Sequence, residues 1–220
     1  MCYNYKKVFV FTISIHKINL IGGNVLNLET KNSTNKLNVK SSSLYEWYDS
    51  ILKVLILMLI LITFVFKICT VEGASMDITL ADGEKLIISN FLYTPKENDI
   101  IVFHDTNNLN KPCVKRIIAT GDKYVKIDFD NCILYVSNDN IFNEDDIVDE
   151  SSYAYFDSGS YKQRGTYETY VPEGYLFVMG DNRNNSTDSR SDLIGLVDEK
   201  TVLGKVIFRT SPSDKIGLIK

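Results

Sequence analysis

The most apolar stretch of the chain runs from Val54 to Phe66, where every residue except Thr63 is strongly apolar. Extended to residues 51–71 it has 21 residues and a lysine close to each end. About 20 helical residues cover the roughly 30 Å hydrocarbon core of a bilayer. The pattern therefore predicts a transmembrane helix over residues 51–71. The alternatives are a buried core helix and a signal peptide that is removed.

Beyond residue 71 the pattern changes to short runs rich in Val, Ile, Phe and Tyr, separated by turn-forming pairs such as Asp82-Gly83. No stretch there keeps a helical apolar period for three turns. The predicted fold is mainly β: one N-terminal transmembrane helix followed by an antiparallel β-rich domain over residues 72–220. The predicted strands are Lys85–Tyr93, Asp99–His104, Cys113–Thr120, Lys123–Phe129, Cys132–Ser137, Tyr175–Met179 and Val202–Arg209.

Two segments lack either pattern. Residues 138–168 are acidic at first and then rich in Ser and Gly, which predicts a surface excursion from the β domain. Residues 1–50, rich in Asn, Ser, Thr and Lys between positions 19 and 45, are predicted to form a disordered cytoplasmic tail.

Composition and charge limit the possible functions. The net charge of −4 and the pI near 5.3 argue against a nucleic-acid binder, because phosphates attract basic surfaces. Two His and four Cys leave little material for a metal site, and no cofactor is predicted. Residues 1–67 carry eight Lys and three acidic residues, whereas the rest carries 16 basic and 25 acidic residues. The positive-inside rule therefore predicts a cytoplasmic N-terminus and a β domain outside the membrane.

A serine and a lysine are the first candidates for chemistry. Ser75 follows a glycine-containing turn beyond the apolar run, and Lys115 lies inside a predicted apolar strand. Side chains alternate in a strand, so one of Lys115 and Arg116 is expected on the packed face. Burial lowers the pKa of a lysine, and a neutral lysine can accept the proton of a serine hydroxyl, which an arginine cannot. A solvated serine and a lysine on an edge strand are the alternative interpretations.

The segment Gly180–Arg190 reads G-D-N-R-N-N-S-T-D-S-R and directly follows a predicted strand. Asp188 and Arg190 are spaced for a carboxylate–guanidinium pair across a turn. Ser186 is able to hydrogen-bond a nearby amine and hold it in place. An ordinary loop rich in Asn and Asp would have the same composition.

Together these stretches resemble the type I signal peptidases, the membrane-anchored Ser-Lys endopeptidases that remove signal peptides from exported proteins. Residues 180–190 match the family pattern G-D-N-R-x-N-S-x-D-S-R at every fixed position, and Asp99–Phe103 resembles the box G-D-I-V-V-F. The likeness covers about residues 50–210, apart from the acidic excursion. Ile78 stands where the family usually has proline, and the run after Lys115 is one residue shorter than usual.

The resemblance implies a role for each matching residue. Ser75 is the nucleophile, Lys115 is the general base, and Ser186 orients the lysine amine. Asp188 and Arg190 form a supporting ion pair. The same box contributes Asp181, Asn182 and Arg183. The residues expected to contact substrate, as pocket lining or beside an added strand, are Met76, Leu80, Ile101, Val102, Cys113 and Val114.

The expected function is that of a signal peptidase I, which cleaves N-terminal signal peptides from exported preproteins at the outer face of the cytoplasmic membrane. The protein is expected to act as a monomer in the lipid bilayer, without nucleic acid, metal or cofactor. One alternative is another Ser-Lys peptidase, such as a self-cleaving repressor. Another is a membrane-tethered β-domain that binds peptides without cleaving them. Cys113 and Cys132 either form a disulfide or remain free thiols.

Overall fold

The structure is a computed structural model that describes residues 35–106, 110–156 and 159–219, with side chains from residue 45 onward. A long helix, α1, runs from Asn35 to Val65. Its segment Tyr45–Val65 has a mean hydropathy of 2.2, and none of it is buried in the protein. By length and composition this segment is able to cross a membrane.

Both ends of the predicted helix need correction. The helix ends at Val65, and residues 66–70, predicted as its last turns, form a strand that pairs along its whole length with residues 85–89. These cross-strand hydrogen bonds satisfy the backbone groups that a longer helix would have paired internally. Residues 35–50, predicted as disordered, are helical, and no Gly or Pro interrupts residues 35–65. Residues 1–34 of the predicted tail lie outside the described residues.

After the helix, the described residues form 11 strands in two sheets, and every strand pair is antiparallel. The strands are β1 (Phe66–Thr70), β2 (Lys85–Ser89), β3 (Ile100–His104), β4 (Pro112–Ala119), β5 (Lys123–Asp128), β6 (Ile133–Ser137), β7 (Thr166–Val171), β8 (Tyr175–Met179), β9 (Val197–Asp198), β10 (Val202–Ser211) and β11 (Gly217–Leu218). The larger sheet has the order β1-β2-β10-β3-β4-β8-β9, with β11 on β10, and the smaller has the order β6-β5-β7. The predicted mainly β, antiparallel fold is confirmed.

The central strands of the larger sheet bury apolar side chains on both faces. Ile101 and Val102 are neighbours in β3, yet they belong to two different core clusters. The reason is that successive side chains of a strand point to opposite faces. A polar side chain in a strand such as β3 or β4 therefore meets packed protein whichever way it points.

The segment of residues 138–168 is less superficial than predicted. Tyr161 and Tyr153 are buried, although the surrounding sequence is acidic and loop-like. The main chain of Tyr155 pairs with that of Asn182 in the loop after β8. Aromatic side chains therefore anchor this segment on the domain, and its acidic composition concealed that contact.

Candidate active site

Ser75 and Lys115 lie together although 40 residues separate them. Ser75 lies in the turn-rich segment between β1 and β2, and Lys115 lies in the middle of β4. The Lys115 amine donates a hydrogen bond to the hydroxyl of Ser75, with Nζ and Oγ 2.6 Å apart. Only 5% of the lysine surface is exposed. At this distance a proton can pass directly between the two groups.

The surroundings of Lys115 favour its neutral form. Burial lowers the pKa of Lys115 below the ordinary lysine value, because a low-dielectric interior disfavours the ammonium ion. The carboxylate of Asp188 acts in the opposite direction but does not cancel this effect. The amine therefore loses its proton at a lower pH than an exposed lysine does.

Arg116, the next residue of β4, is also buried and has an acidic partner of its own. Its guanidinium donates two hydrogen bonds to the Asp181 carboxylate, at 2.8 and 2.7 Å. The hydroxyl of Thr79 donates to the same carboxylate at 2.6 Å and thereby links the serine segment to it. Alternation along the strand predicted only one of the two basic residues on a packed face. Both are buried because β4 is covered on both faces, and the sequence reasoning gave Arg116 no role.

Asn182 fixes the backbone of the serine segment. Its main-chain N–H donates to the carbonyl of Ser75 at 3.1 Å, and its side-chain Nδ2 donates to the carbonyl of Ala74 at 3.1 Å. These two bonds hold the consecutive peptide groups of Ala74 and Ser75, the predicted nucleophile. A reactive hydroxyl needs such support, since small displacements misalign it with its base.

Asp188 is buried and accepts hydrogen bonds from several groups. Arg190 binds it through Nε and Nη2 at 2.8 Å each, and the Ser186 hydroxyl donates to it at 2.7 Å. Burial by itself would raise the pKa of Asp188. The hydrogen bonds and charge of Arg190, together with the hydrogen bonds from Gly180 and Ser186, outweigh burial and hold that pKa below its usual range. A direct hydrogen bond from Ser186 to Lys115 was expected, but it is not found among the described residues. The carboxylate is the stronger acceptor for this hydroxyl.

Arg183 is completely buried and has its acidic partner outside the box of residues 180–190. Its guanidinium forms an ion pair with Glu150 and donates to the hydroxyl of Tyr161 at 3.2 Å. Its carbonyl accepts a hydrogen bond from Arg190 Nη2 at 2.8 Å. Sequence reasoning missed Glu150, because no local pattern in the acidic excursion marks one carboxylate among many.

The six residues expected to contact substrate lie on two faces of the larger sheet. Those in or against the first apolar cluster are Met76, Leu80, Val102 and Val114. Those in or against the second are Ile101 and Cys113. The structure therefore brings four of the six side chains together and places the other two on the opposite side.

Cys113 and Cys132 are both free thiols in the structure. Of the two alternatives that the sequence left open, the structure therefore contains no disulfide between them. Burial raises the pKa of the Cys113 thiol above its ordinary value, an effect that the nearby Lys115 opposes. At neutral pH this thiol is in its uncharged form.

A family model and the sequences of known proteins agree on one family. Residues 44–211 match the family described as signal peptidase, peptidase S26. The chain is similar to signal peptidase I of Bacillus licheniformis, with 36% identity over 188 residues that cover 84% of this chain and 95% of that protein. It is also similar to signal peptidase IB of Staphylococcus aureus strain N315, with 32% identity over 182 residues that cover 77% and 90%. A crystal structure of a signal peptidase I from Enterococcus faecalis aligns with a TM-score of 0.38 and 28% identity, covering 51% of this chain and 97% of that one.

Proposed function

The chain belongs to the signal peptidase family of S26 peptidases, and on this basis we propose that it cleaves signal peptides from exported preproteins with Ser75 as nucleophile and Lys115 as general base. Family membership makes the protein a serine endopeptidase, a hydrolase, and does not favour a non-catalytic peptide-binding domain. The observation that carries the two residue assignments is the 2.6 Å contact between Lys115 Nζ and Ser75 Oγ. A buried lysine beside a serine hydroxyl supplies a base without histidine.

Cleavage would proceed through an acyl-enzyme. Neutral Lys115 accepts the proton of Ser75 Oγ while that oxygen attacks the scissile carbonyl. The resulting ammonium gives this proton to the leaving amine, which departs with the mature protein, and the signal peptide remains as an ester on Ser75. Lys115 then accepts a proton from water, whose oxygen attacks the ester. The ammonium returns this proton to Ser75 Oγ as that oxygen leaves, which releases the signal peptide with a new carboxyl terminus and restores neutral Lys115. In both steps the backbone N–H of Ser75 would donate a hydrogen bond to the negatively charged carbonyl oxygen and stabilise it.

A second oxyanion donor is not evident in the sequence. Gly73 stands where some members of the family supply a serine hydroxyl. In the structure its N–H donates to the Asp82 carboxylate at 2.8 Å, and its φ is +88°, a backbone conformation that favours glycine. The proposed role of Gly73 is therefore to allow the turn before Ser75, not to donate a hydrogen bond to the oxyanion.

The substrate is proposed to bind as an extended strand beside β3 and β4. The apolar cluster that contains Met76, Leu80, Val102 and Val114 would form the floor for small residues at the first and third positions before the cut. Met76 and Leu80 are almost fully buried in this cluster, which leaves little room for a larger side chain.

The apolar helix and the family together indicate a membrane-anchored protein. The proposed arrangement is a single span with a cytoplasmic N-terminus and an outer β domain, acting as a monomer. Ser75 follows the last helical residue, Val65, by ten residues, which reach at most about 35 Å when extended. A preprotein held by its apolar segment in the same bilayer would meet the nucleophile at a raised effective concentration.

The direct test is to incubate the full chain in detergent with a precursor that carries a signal peptide and to sequence the new N-terminus. We expect a single cut after a small residue, and no cut with Ser75→Ala. A precursor with phenylalanine in place of the residue before the cut serves as the control substrate and should remain intact. Binding of the precursor without any product would contradict the proposal and favour a peptide-binding role.

Gly180 lies where the serine segment packs tightly against the box of residues 180–190. A Cβ atom at this position would lie 2.3 Å from Ser186 Oγ and 2.4 Å from the carbonyl oxygen of Ser75. We expect Gly180→Ala to displace the Ser75 main chain and to lower kcat/KM for the precursor by about 100-fold. Gly217→Ala is the matched control, because a Cβ there meets no atom within 4 Å. Equal kcat/KM values for the two variants would mean that a Cβ atom at position 180 does not displace the Ser75 main chain.

A further inference from the structure

The ring of Tyr153 lies close to two buried guanidinium groups. The Cζ atom of Arg116 is 4.2 Å from the ring centroid, and that of Arg183 is 5.7 Å from it. Tyr153 comes from the acidic excursion, and the proposed chemistry does not use it. A cation beside an aromatic ring is attracted by the electrons of the ring, and the attraction is stronger where water is excluded.

The ring, rather than the hydroxyl, makes these contacts. Among the described residues, the buried hydroxyl of Tyr153 has no hydrogen-bond partner. Burial raises its pKa to about 12, so it is uncharged at any pH at which the enzyme would be assayed. A phenylalanine at this position would therefore keep the contacts between the ring and the two guanidinium groups and would lose only the unpaired hydroxyl.

The chain just after Tyr153 is joined to the box by main-chain hydrogen bonds. The N–H of Tyr155 donates to the carbonyl of Asp181 at 2.8 Å, and the N–H of Arg183 donates to the carbonyl of Tyr155 at 2.9 Å. These two bonds bracket Asn182, whose own bonds hold Ala74 and Ser75. Asn182 therefore connects the excursion to the backbone of the proposed nucleophile, Ser75.

The excursion also supplies charge. Arg183 is completely buried, and its acidic partner is Glu150, three residues before Tyr153. Burial by itself would lower the pKa of Arg183, but the charge of Glu150, together with the contacts of Tyr161 and Tyr153, raises it above the ordinary arginine value. The guanidinium next to the Tyr153 ring is therefore ionised, which is the state that an aromatic face attracts.

We propose that Tyr153 is a positioning residue for the cleavage reaction, acting through residues 181–183 on the backbone of Ser75. Its ring contacts the guanidinium groups of both Arg116 and Arg183, and Arg116 is in turn bound to Asp181, so the ring helps to fix the backbone of residues 181–183. Loss of the ring frees this backbone, and the Ser75 oxygen then spends less time within reach of Lys115. This inference rests on the proposed role of Ser75 and Lys115.

The test compares three variants of the full chain on one precursor. Tyr153→Leu removes the ring, and we expect kcat to fall by about 10- to 100-fold with KM within twofold, because a displaced nucleophile slows the chemical step and leaves peptide binding intact. Tyr153→Phe keeps the ring and should restore kcat to within twofold of the unmodified enzyme. Phe156→Leu is the matched packing control, since Phe156 contacts Tyr161 and a core cluster in the same segment. Its kcat should stay within threefold.

Three results would overturn the proposal: a kcat for Tyr153→Leu within twofold of the unmodified enzyme, an equal loss in Tyr153→Phe, or an equal loss in Phe156→Leu. Should Tyr153→Leu not yield folded protein, Tyr153→Met also lacks a ring and is judged by the same criteria. The proposed function is tested separately by Ser75→Ala. Cleavage by that variant would remove the nucleophile assignment, whereas normal kcat in Tyr153→Leu beside an inactive Ser75→Ala would remove only the role of Tyr153.

Discussion

Replacement of Lys115 by methionine is expected to reduce precursor cleavage by about 10⁴-fold, since it removes the base and leaves the rest of the site in place. Methionine has a similar length and fills the buried space without a proton acceptor. Lys115→Arg should be equally inactive, because arginine stays protonated at any pH at which the protein is folded. The measurement is kcat/KM with a signal-bearing precursor. Lys85→Met, which changes an exposed lysine of β2, is the control and should cleave normally.

The same residue sets the expected pH dependence. In the proposed mechanism activity requires the neutral amine, so kcat/KM should rise with pH as Lys115 loses its proton. Because burial lowers the pKa of Lys115, the midpoint of that rise should lie below 10.5, the ordinary lysine value. The experiment is a pH–rate profile of the unmodified enzyme under conditions in which it stays folded. A kcat/KM that stays constant or falls as the pH is raised toward 10.5 would contradict a lysine base.

Breaking the buried ion pair between Arg116 and Asp181 is expected to destabilise the fold strongly. Asp181 is fully buried and the Arg116 side chain is 4% exposed, so Asp181→Leu leaves a buried cation without its partner. Such losses cost about 3 to 5 kcal/mol in the free energy of unfolding. We expect Arg116→Met to cost a similar amount and the double variant to cost clearly less than the two single losses together, because neither charge then remains.

The unfolding free energies of these variants can be measured by urea titration of the full chain in detergent, followed by far-ultraviolet circular dichroism. Glu168→Gln is the matched control, since its partner Lys126 and the carboxylate itself are partly exposed, and the loss should stay below about 1 kcal/mol. Strictly additive losses for Arg116 and Asp181 would mean that the two side chains do not stabilise each other, contrary to the structure.

Much of the β domain was predictable because its strands are marked by local patterns. The runs rich in Val and Ile, and the turn pairs between them, gave strand positions within a few residues, and β8 (Tyr175–Met179) at both ends. The strand β7 (Thr166–Val171) was not predicted. Its alternate residues are exposed threonine, glutamate and tyrosine side chains, so its apolar signal is weak, and its pairing with β5 defines it.

The helix boundary failed for a related reason. Residues 66–70 are apolar enough to continue a membrane helix, and their local sequence does not distinguish that state from a strand. The distinction comes from β2, 15 residues or more along the chain, which pairs with them. Hydropathy measures only how apolar a segment is. Which other segment its backbone hydrogen-bonds with depends on the fold of the whole domain.

The site shows the same division between local and distant information. Asp188 and Arg190 are two residues apart, so their spacing indicated the ion pair. Glu150 and Tyr153 contact the box from a segment whose composition indicates only an acidic loop. No regular spacing connects that segment to residues 181–183, and only the folded chain brings the two together.

The lowered pKa of Lys115 also has a consequence for folding. The unfolded chain binds a proton at Lys115 more strongly than the native chain does. At any pH below the ordinary lysine pKa this difference lowers the free energy of unfolding, and an apolar residue at the position would remove that loss. If Lys115 is the base, as proposed, activity and thermodynamic stability oppose each other at this amine. A variant that is inactive at position 115 and more resistant to heat would be the natural outcome of that trade-off.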